Sequence, residues 1–297
     1  MEPSIRDRTS QTHHPSDMEK LNEKAAIVTG AASGIGRALS RVLAARGAAV
    51  VVADIDEAGA QCVAESIQAS GGTALPVCVD ITDAHEVDRL VRETVNQHGR
   101  LDFMFNNAGM ALCGEIRDLR LTDWETVLRV NLRGVIHGTM SAYRAMLDQG
   151  FGHIINTASL GGLVPEPFAA PYVASKFAVV GLTLSLRLEA AEFGIKASVF
   201  CPGFVQTRIL EAARYVGMPR EAAIREMSGL GGISPERAVC SLLRGIARNK
   251  SIITDSAVTQ LAWRMFRLCP GALRPLLLRG VKDMREVRDS RLEAGAG

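Results

Sequence analysis

T-G-A-A-S-G-I-G, residues 29–36, follows a short apolar run, Ala25–Thr29, and opens a segment of helical periodicity, Ile35–Arg46, that stops at Gly47. A glycine-rich turn between a strand and a helix is the setting of a dinucleotide site. The spacing is G-x-x-x-G-x-G rather than the commoner G-x-G-x-x-G, but the physics is shared. Gly30, Gly34 and Gly36 let the backbone approach a pyrophosphate. Ser33 and Ile35 stand at the start of the helix, whose free N–H groups and positive dipole end favour an anion. The alternative is a merely tight turn.

Working outward, strand-like and helix-like segments alternate. Strands are expected at Ala49–Ala53, Ala74–Val79, Leu101–Phe105, Gly152–Ala158, Lys196–Cys201 and, at an edge, Ser251–Thr254. Helices are expected at Glu57–Ala69, Ala84–His98, Asp123–Asp148, Tyr172–Glu192 and Pro235–Arg248. Continuous apolar strands separated by amphipathic helices imply a parallel sheet covered on both faces. Right-handed crossovers make it an α/β, doubly wound, Rossmann-type sheet of about seven strands. Asp54 ends the second strand, where a carboxylate can accept hydrogen bonds from an adenosine ribose and repel a 2′-phosphate, favouring NAD over NADP. Exposed Arg37, just after the last glycine, is the residue that could oppose this. Asp80 and Ile81 end the third strand, where an acid can face the adenine amino group and the isoleucine its ring. Asn106-Asn107-Ala108-Gly109 closes the fourth, its amides able to brace neighbouring turns. Asn131 is a poor interior helix residue and suggests a kink with a purpose. Phe204–Gly232, with Phe204, Ile209, Leu210, Tyr215 and Met218, reads as a mobile apolar cover.

Ser159 follows the fifth strand, Tyr172 comes thirteen residues later, and Lys176 four after that, on the same helical face as the tyrosine. A phenol titrates near pH 10, so making it a base at neutral pH takes about 4 kcal/mol of preferential support for the phenolate. A neighbouring ammonium and a cationic cofactor ring are sources of that support. Ser159 can hydrogen-bond the substrate oxygen. Alone, the Tyr–Lys pair also fits a surface lysine beside a half-buried tyrosine.

With 297 residues, 47% of them apolar, the chain can bury a large core. No apolar run is long enough to span a membrane. The polar first 20 residues lack the apolar stretch of a signal peptide and are expected to be a disordered tail. Six scattered cysteines at 62, 78, 113, 201, 240 and 269, without C-x-x-C, read as reduced core thiols, and no metal is expected. A formal net charge of +2 gives no reason to expect a nucleic-acid partner.

Taken together, T-G-A-A-S-G-I-G (29–36), Asp54, Asp80, N-N-A-G (106–109), Asn131, Ser159, Y-V-A-S-K (172–176) and P-G-F-V-Q-T (202–207) resemble the short-chain dehydrogenase/reductase family, over about residues 22–255. The resemblance implies Tyr172 as the acid/base, Ser159 as the group polarising the carbonyl, and Lys176 as a ligand of the nicotinamide ribose that also lowers the pKa of Tyr172. It implies Asn131 in a proton relay and a cofactor contact at Pro202, Gly203, Val205 and Thr207. It further implies hydride transfer between NAD and a secondary alcohol or ketone, and a homodimer or homotetramer. The expected organisation is a tail (1–20), a catalytic domain (21–255) and a basic amphipathic helical extension (256–297).

Arg264–Arg291 carries eight Lys/Arg against three Asp/Glu, a net +5. Leu273, Leu277, Val281, Met284 and Val287 recur at helical spacing, with Pro270 and Pro275 separating them from the helix before. One reading is peripheral contact with an anionic membrane; the other is a helix packed on the domain or a neighbouring subunit with a solvated basic face. The expected activity is an NAD-dependent oxidoreductase on a small hydrophobic alcohol or ketone of steroid, retinoid or acyl-chain type, in the cytoplasm. The alternatives are an NADP-linked carbonyl or 3-oxoacyl reductase, and a non-catalytic NAD-binding sensor or scaffold.

Overall fold

The structure is a computed structural model and describes residues 20–229 and 231–294. Nearly all of the expected 1–20 tail lies outside the described residues. Seven parallel strands form one sheet: β1 (Ala25–Thr29), β2 (Ala49–Asp54), β3 (Thr73–Cys78), β4 (Phe103–Asn106), β6 (Gly152–Thr157), β7 (Ile195–Cys201) and β9 (Ile252–Thr254), in the order β3-β2-β1-β4-β6-β7-β9. The short strands β5 (Leu112–Cys113) and β8 (Arg214–Tyr215) pair separately.

All five β1 residues are buried, as a strand covered on both faces requires. Ala26 and Val28 point to one side. There they meet α1 (Gly34–Ala45), α2 (Glu57–Ala69) and α8 (Pro235–Ala247), through side chains such as Leu43, Val63 and Leu242. Ile27 points to the other, toward α3 (Ala84–His98) and α5 (Gly134–Gln149), where Leu90 and Met146 pack. The order reverses between β1 and β4, so a crevice opens beyond their carboxyl ends. Residues 29–36 and 106–109 both sit at that edge.

Helix boundaries follow local chemistry. The Asp83 carboxylate accepts from the His85 and Glu86 N–H groups to start α3, and Gly99 in the left-handed region ends it. The long helix expected over 123–148 is interrupted. α4 (Leu121–Leu128) passes through a π-helical turn, Arg129–Arg133, into α5, with Asn131 buried at its centre. α6 (Ala170–Glu189) carries Tyr172 and Lys176.

After β9, α9 (Ala257–Leu268) and α10 (Pro270–Ala294) follow. Pro270 separates the two helices, but Pro275 does not break α10 as expected; it lies inside it. It is early enough in the helix that its missing N–H forfeits only the bond to the Gly271 carbonyl. α10 lies on the domain: Leu273 packs on the cluster of Val179 and Val180, and Val281, Met284 and Val287 pack on Cys113, Phe168, Met218 and Ala223. All six cysteines are free, but only Cys113 and Cys201 are buried, fewer than a set of core thiols would give.

Candidate active site

The first turn is shaped by close approaches that side chains would block. Gly30 has φ +66°, and a Cβ there would stand 2.7 Å from the Ala108 Cα. A Cβ on Gly36 would run into the Gly30 carbonyl and the Asn107 amide. Gly34 meets the Thr207 methyl, which brings the loop after β7 against the first turn. Ser33 occupies the N-cap of α1 in extended conformation, and its side chain caps nothing. The first N–H groups of α1 are thus left for an anion.

Thr29 ties the two turns together: its hydroxyl accepts from the Asn107 and Ala108 N–H groups at 3.0 and 3.1 Å, while the Asn107 amide donates to the Thr29 carbonyl at 3.0 Å. Asp54 accepts from Ala32 N–H at 2.8 Å and from Asp56 N–H at 3.0 Å, one bond on each oxygen. Each oxygen retains a lone pair for a further donor. Arg37 is exposed on the first turn of α1. Asp80 accepts from Thr82 N–H, and Ile81 packs against Gly134 of α5 while its carbonyl meets His137 Nδ1. Val205 is buried in the core behind the crevice. Pro202 accepts from Leu160 N–H at 2.6 Å. Gly203 donates to Asp255 Oδ2 at 2.9 Å, and Thr259 in turn donates to Asp255 Oδ1. Asp255 and Thr259 drew no attention in the sequence; they lie past the motif they hold.

The catalytic candidates converge at the ends of β6 and α6. Lys176 is buried, donates to the Thr157 carbonyl at 3.0 Å and stands 5.5 Å from the Tyr172 ring centre. Burial draws its ammonium down to about 8. The Tyr172 phenol is pushed up, first by burial and then by the Glu166 carboxyl, with the facing Ser159 hydroxyl working the other way. The protein by itself therefore raises the phenol rather than bringing it toward neutrality, because burial and the Glu166 carboxyl outweigh the Ser159 hydrogen bond. Ser159 also accepts from Gly161 N–H at 3.1 Å, which fixes its side chain. Asn131 is locked: Oδ1 accepts from Met110 N–H at 2.8 Å, and Nδ2 donates to the Met110 carbonyl at 2.9 Å and to Ser175 at 3.3 Å. A Cβ on Gly109 would lie 3.2 Å from Asn131 Oδ1 and 3.5 Å from Lys176 Nζ, so the three sites adjoin.

Residues 24–215 match the family model described as short chain dehydrogenase. The chain is a short-chain dehydrogenase. It is 37% identical over 220 residues to a 3-oxoacyl-(acyl-carrier-protein) reductase of Synechocystis, covering 69% of this chain and 88% of the relative. It is 34% identical over 243 residues to a D-beta-hydroxybutyrate dehydrogenase of Rhizobium meliloti, covering 80% and 90%. Its fold is similar to that of a short chain dehydrogenase/reductase from Burkholderia phymatum in complex with NAD, with TM-score 0.77, 30% identity and coverage of 84% and 94%. Enzymes of this family act on CH–OH and carbonyl groups with NAD(P), so this dehydrogenase is an oxidoreductase with a nicotinamide cofactor. The family is typically oligomeric.

Beyond Tyr172 the dehydrogenase builds an apolar wall from Cys113, Phe168, Met218 and Ala223, with Tyr215 and Met227 against it. Burial pushes the Cys113 thiol up to about 12, so it serves as lining rather than as a nucleophile. The expected cover, 204–232, is tied at several points. β8 pairs with β5, and Arg214 reaches the buried Asp123 at 2.8 Å. The Tyr215 hydroxyl donates to the Leu210 carbonyl at 2.8 Å. α10 closes the outside, with Arg285 on Glu115 and Arg288 paired with both oxygens of Asp118. One polar group interrupts this apolar space. Glu166 is half-buried, its carboxyl sits where Gly161 has no side chain, and it has no hydrogen-bond or ion-pair partner among the described residues. Burial pushes it up to about 7.

Proposed function

We propose that the chain interconverts a hydrophobic secondary alcohol and its ketone, with NAD rather than NADP. The observation that carries the chemistry is the half-buried Tyr172 phenol, with Ser159 facing it and the Lys176 ammonium against its ring, bordered by an apolar wall. The dinucleotide, when bound, supplies a hydride acceptor at its nicotinamide carbon and, when oxidised, a positive ring. The turn of Gly30, Ser33, Gly34, Ile35 and Gly36 holds the pyrophosphate, and Asp54 the adenosine ribose. Asp80 and Ile81 flank the adenine, Asn107, Ala108 and Gly109 line the crevice floor, and Pro202, Gly203, Val205 and Thr207 close it at the nicotinamide end. In oxidation Tyr172 takes the hydroxyl proton of the substrate while Ser159 holds the same oxygen. Lys176 holds the nicotinamide ribose, and its charge supports the phenolate. Asn131, pinned by Met110 and Ser175, keeps one lone pair for a relay water behind the lysine.

The relatives named for 3-oxoacyl and hydroxybutyrate substrates suggest an acyl-type ketone or alcohol as a second reading. Unpaired Glu166 beside the reacting centre opposes a substrate carboxylate there. The retained Tyr172 and Lys176 argue against a non-catalytic sensor.

Cofactor choice tests the NAD assignment. Across secondary alcohols from short aliphatics to steroids, kcat/KM rises with apolar size, and NAD exceeds NADP by at least about tenfold, the worth of one repelled phosphate. Asp54→Ala narrows that ratio. Equal turnover with NADP in the wild type would refute it.

A further inference from the structure

α9 carries two unlike faces. Trp263 and Phe266 pack toward the cluster of Val179 and Val199, and Thr259 is buried against Asp255. Val258, Leu261, Met265 and Leu268 recur at steps of three, four and three, so they share the opposite face. All four are exposed, Val258 by 78% and Leu268 by 84%. Leu276 and Leu278 are exposed just beyond, on α10. A single exposed leucine means little; a stripe of four on one three-turn helix is an interaction surface.

Its charge identifies what it meets. From Ala257 to Lys282 there are five cations, Arg264, Arg267, Arg274, Arg279 and Lys282, and no acid. All five are exposed, and none has an ion-pair partner among the described residues. The acids of α10 begin at Asp283, in the stretch whose Arg285 and Arg288 are spent on Glu115 and Asp118. A second copy of the same face would bring like charges together. A solvated basic helix would not present the leucines. We infer that α9, with the first half of α10, docks the protein on an anionic lipid surface, the aliphatic stripe entering the headgroup boundary and the flanking cations meeting lipid phosphates.

The face is not the one whose periodicity stands out in the sequence. Leu273, Val281, Met284 and Val287 of α10 are consumed in packing on the domain. Docking through α9 also sits close to the chemistry. Asp255, just before α9, holds Gly203 and accepts from Thr259 in the first turn of α9, and α10 forms the outside of the apolar wall. A substrate dissolved in the bilayer would be delivered at that side. The docking inference itself does not depend on which alcohol is oxidised.

The test is co-sedimentation of the full chain with vesicles of phosphatidylcholine alone and of phosphatidylcholine mixed with phosphatidylglycerol. The expected result is sedimentation with the mixed vesicles, reduced about tenfold or more by Leu261→Asp with Leu268→Asp, and likewise by Arg264→Glu with Arg267→Glu. Both pairs are exposed, and unchanged melting temperatures verify the folds. Failure of the wild type to sediment, equal binding to neutral vesicles, or binding untouched by either variant overturns the inference. So does an oligomer in solution that the leucine variant dissociates while no vesicle binding is found, which would make the stripe a subunit contact.

Discussion

Glu166 is the residue where substrate choice and acid–base chemistry meet. Its carboxyl is unpaired, half-buried and close enough to Tyr172 to push the phenol up. The folded pKa, about 7, lies above the ordinary 4.5. A raised acid favours the native state below its unfolded pKa and loses that advantage as pH rises through the folded value. Glu166→Gln is therefore expected to melt like the wild type near pH 4.5 and above it in temperature at pH 8, by no more than about 3 kcal/mol. Over the same window the wild type discriminates increasingly against 3-hydroxybutyrate relative to a neutral secondary alcohol of equal length, and the glutamine variant does not. A stability difference that shrinks between pH 5 and 8 would contradict the burial of this carboxyl. Tyr172 and Lys176 were legible in the sequence because a four-residue helical spacing fixes their common face. Glu166 lies between Ser159 and Tyr172 in the chain but was not legible there, because no period tells where a loop side chain points. Asp255 was missed for a related reason: its partner, Gly203, is 52 residues away.

Among the elements, α10 is the one whose role the structure changes. Its inner side packs on the apolar wall, and Arg285 and Arg288 fasten it to Glu115 and Asp118. Arg288 holds the Asp118 carboxyl below its ordinary range. For Glu115, burial acts upward, but Arg285 and Arg117 outweigh it. Lowered acids give stability above their unfolded pKa and surrender it as pH falls through the folded one. The fastening therefore persists from pH 8 to pH 5 and fails only at lower pH. Arg285→Ala with Arg288→Ala is expected to speed amide exchange across 270–289 and in Arg220–Ser228, and to raise KM for bulky alcohols several-fold with kcat nearly unchanged. Exchange rates identical to the wild type would deny the clamp. The amphipathic period of α10 was readable, but its partner was not, since packing on the domain, on a subunit or on lipid requires the same apolar stripe. The kink at Asn131 was readable as a misfit residue; its form, a π-helical turn that points the amide at Met110, depends on a loop contact across 21 residues.

At the scale of the whole molecule, seven strands and their flanking helices emerged from the alternation of apolar runs because a sheet buried on both faces leaves no other pattern. The bounds of α3 fall as read, where Asp83 and Gly99 cap it, while others moved by a residue or two: β4 begins at Phe103 rather than Leu101. The fold gathers residues from β1 to the loop after β7 around the crevice where the strand order reverses. That convergence is why Ser159, Tyr172 and Lys176 are assigned one proton-transfer centre. The most direct test is NADH formation from a hydrophobic secondary alcohol by wild type and Tyr172→Phe, with NAD affinity measured on both. The account predicts that turnover falls by about a hundredfold to ten-thousandfold while NAD affinity stays within a few-fold. Turnover retained by the phenylalanine variant would contradict it.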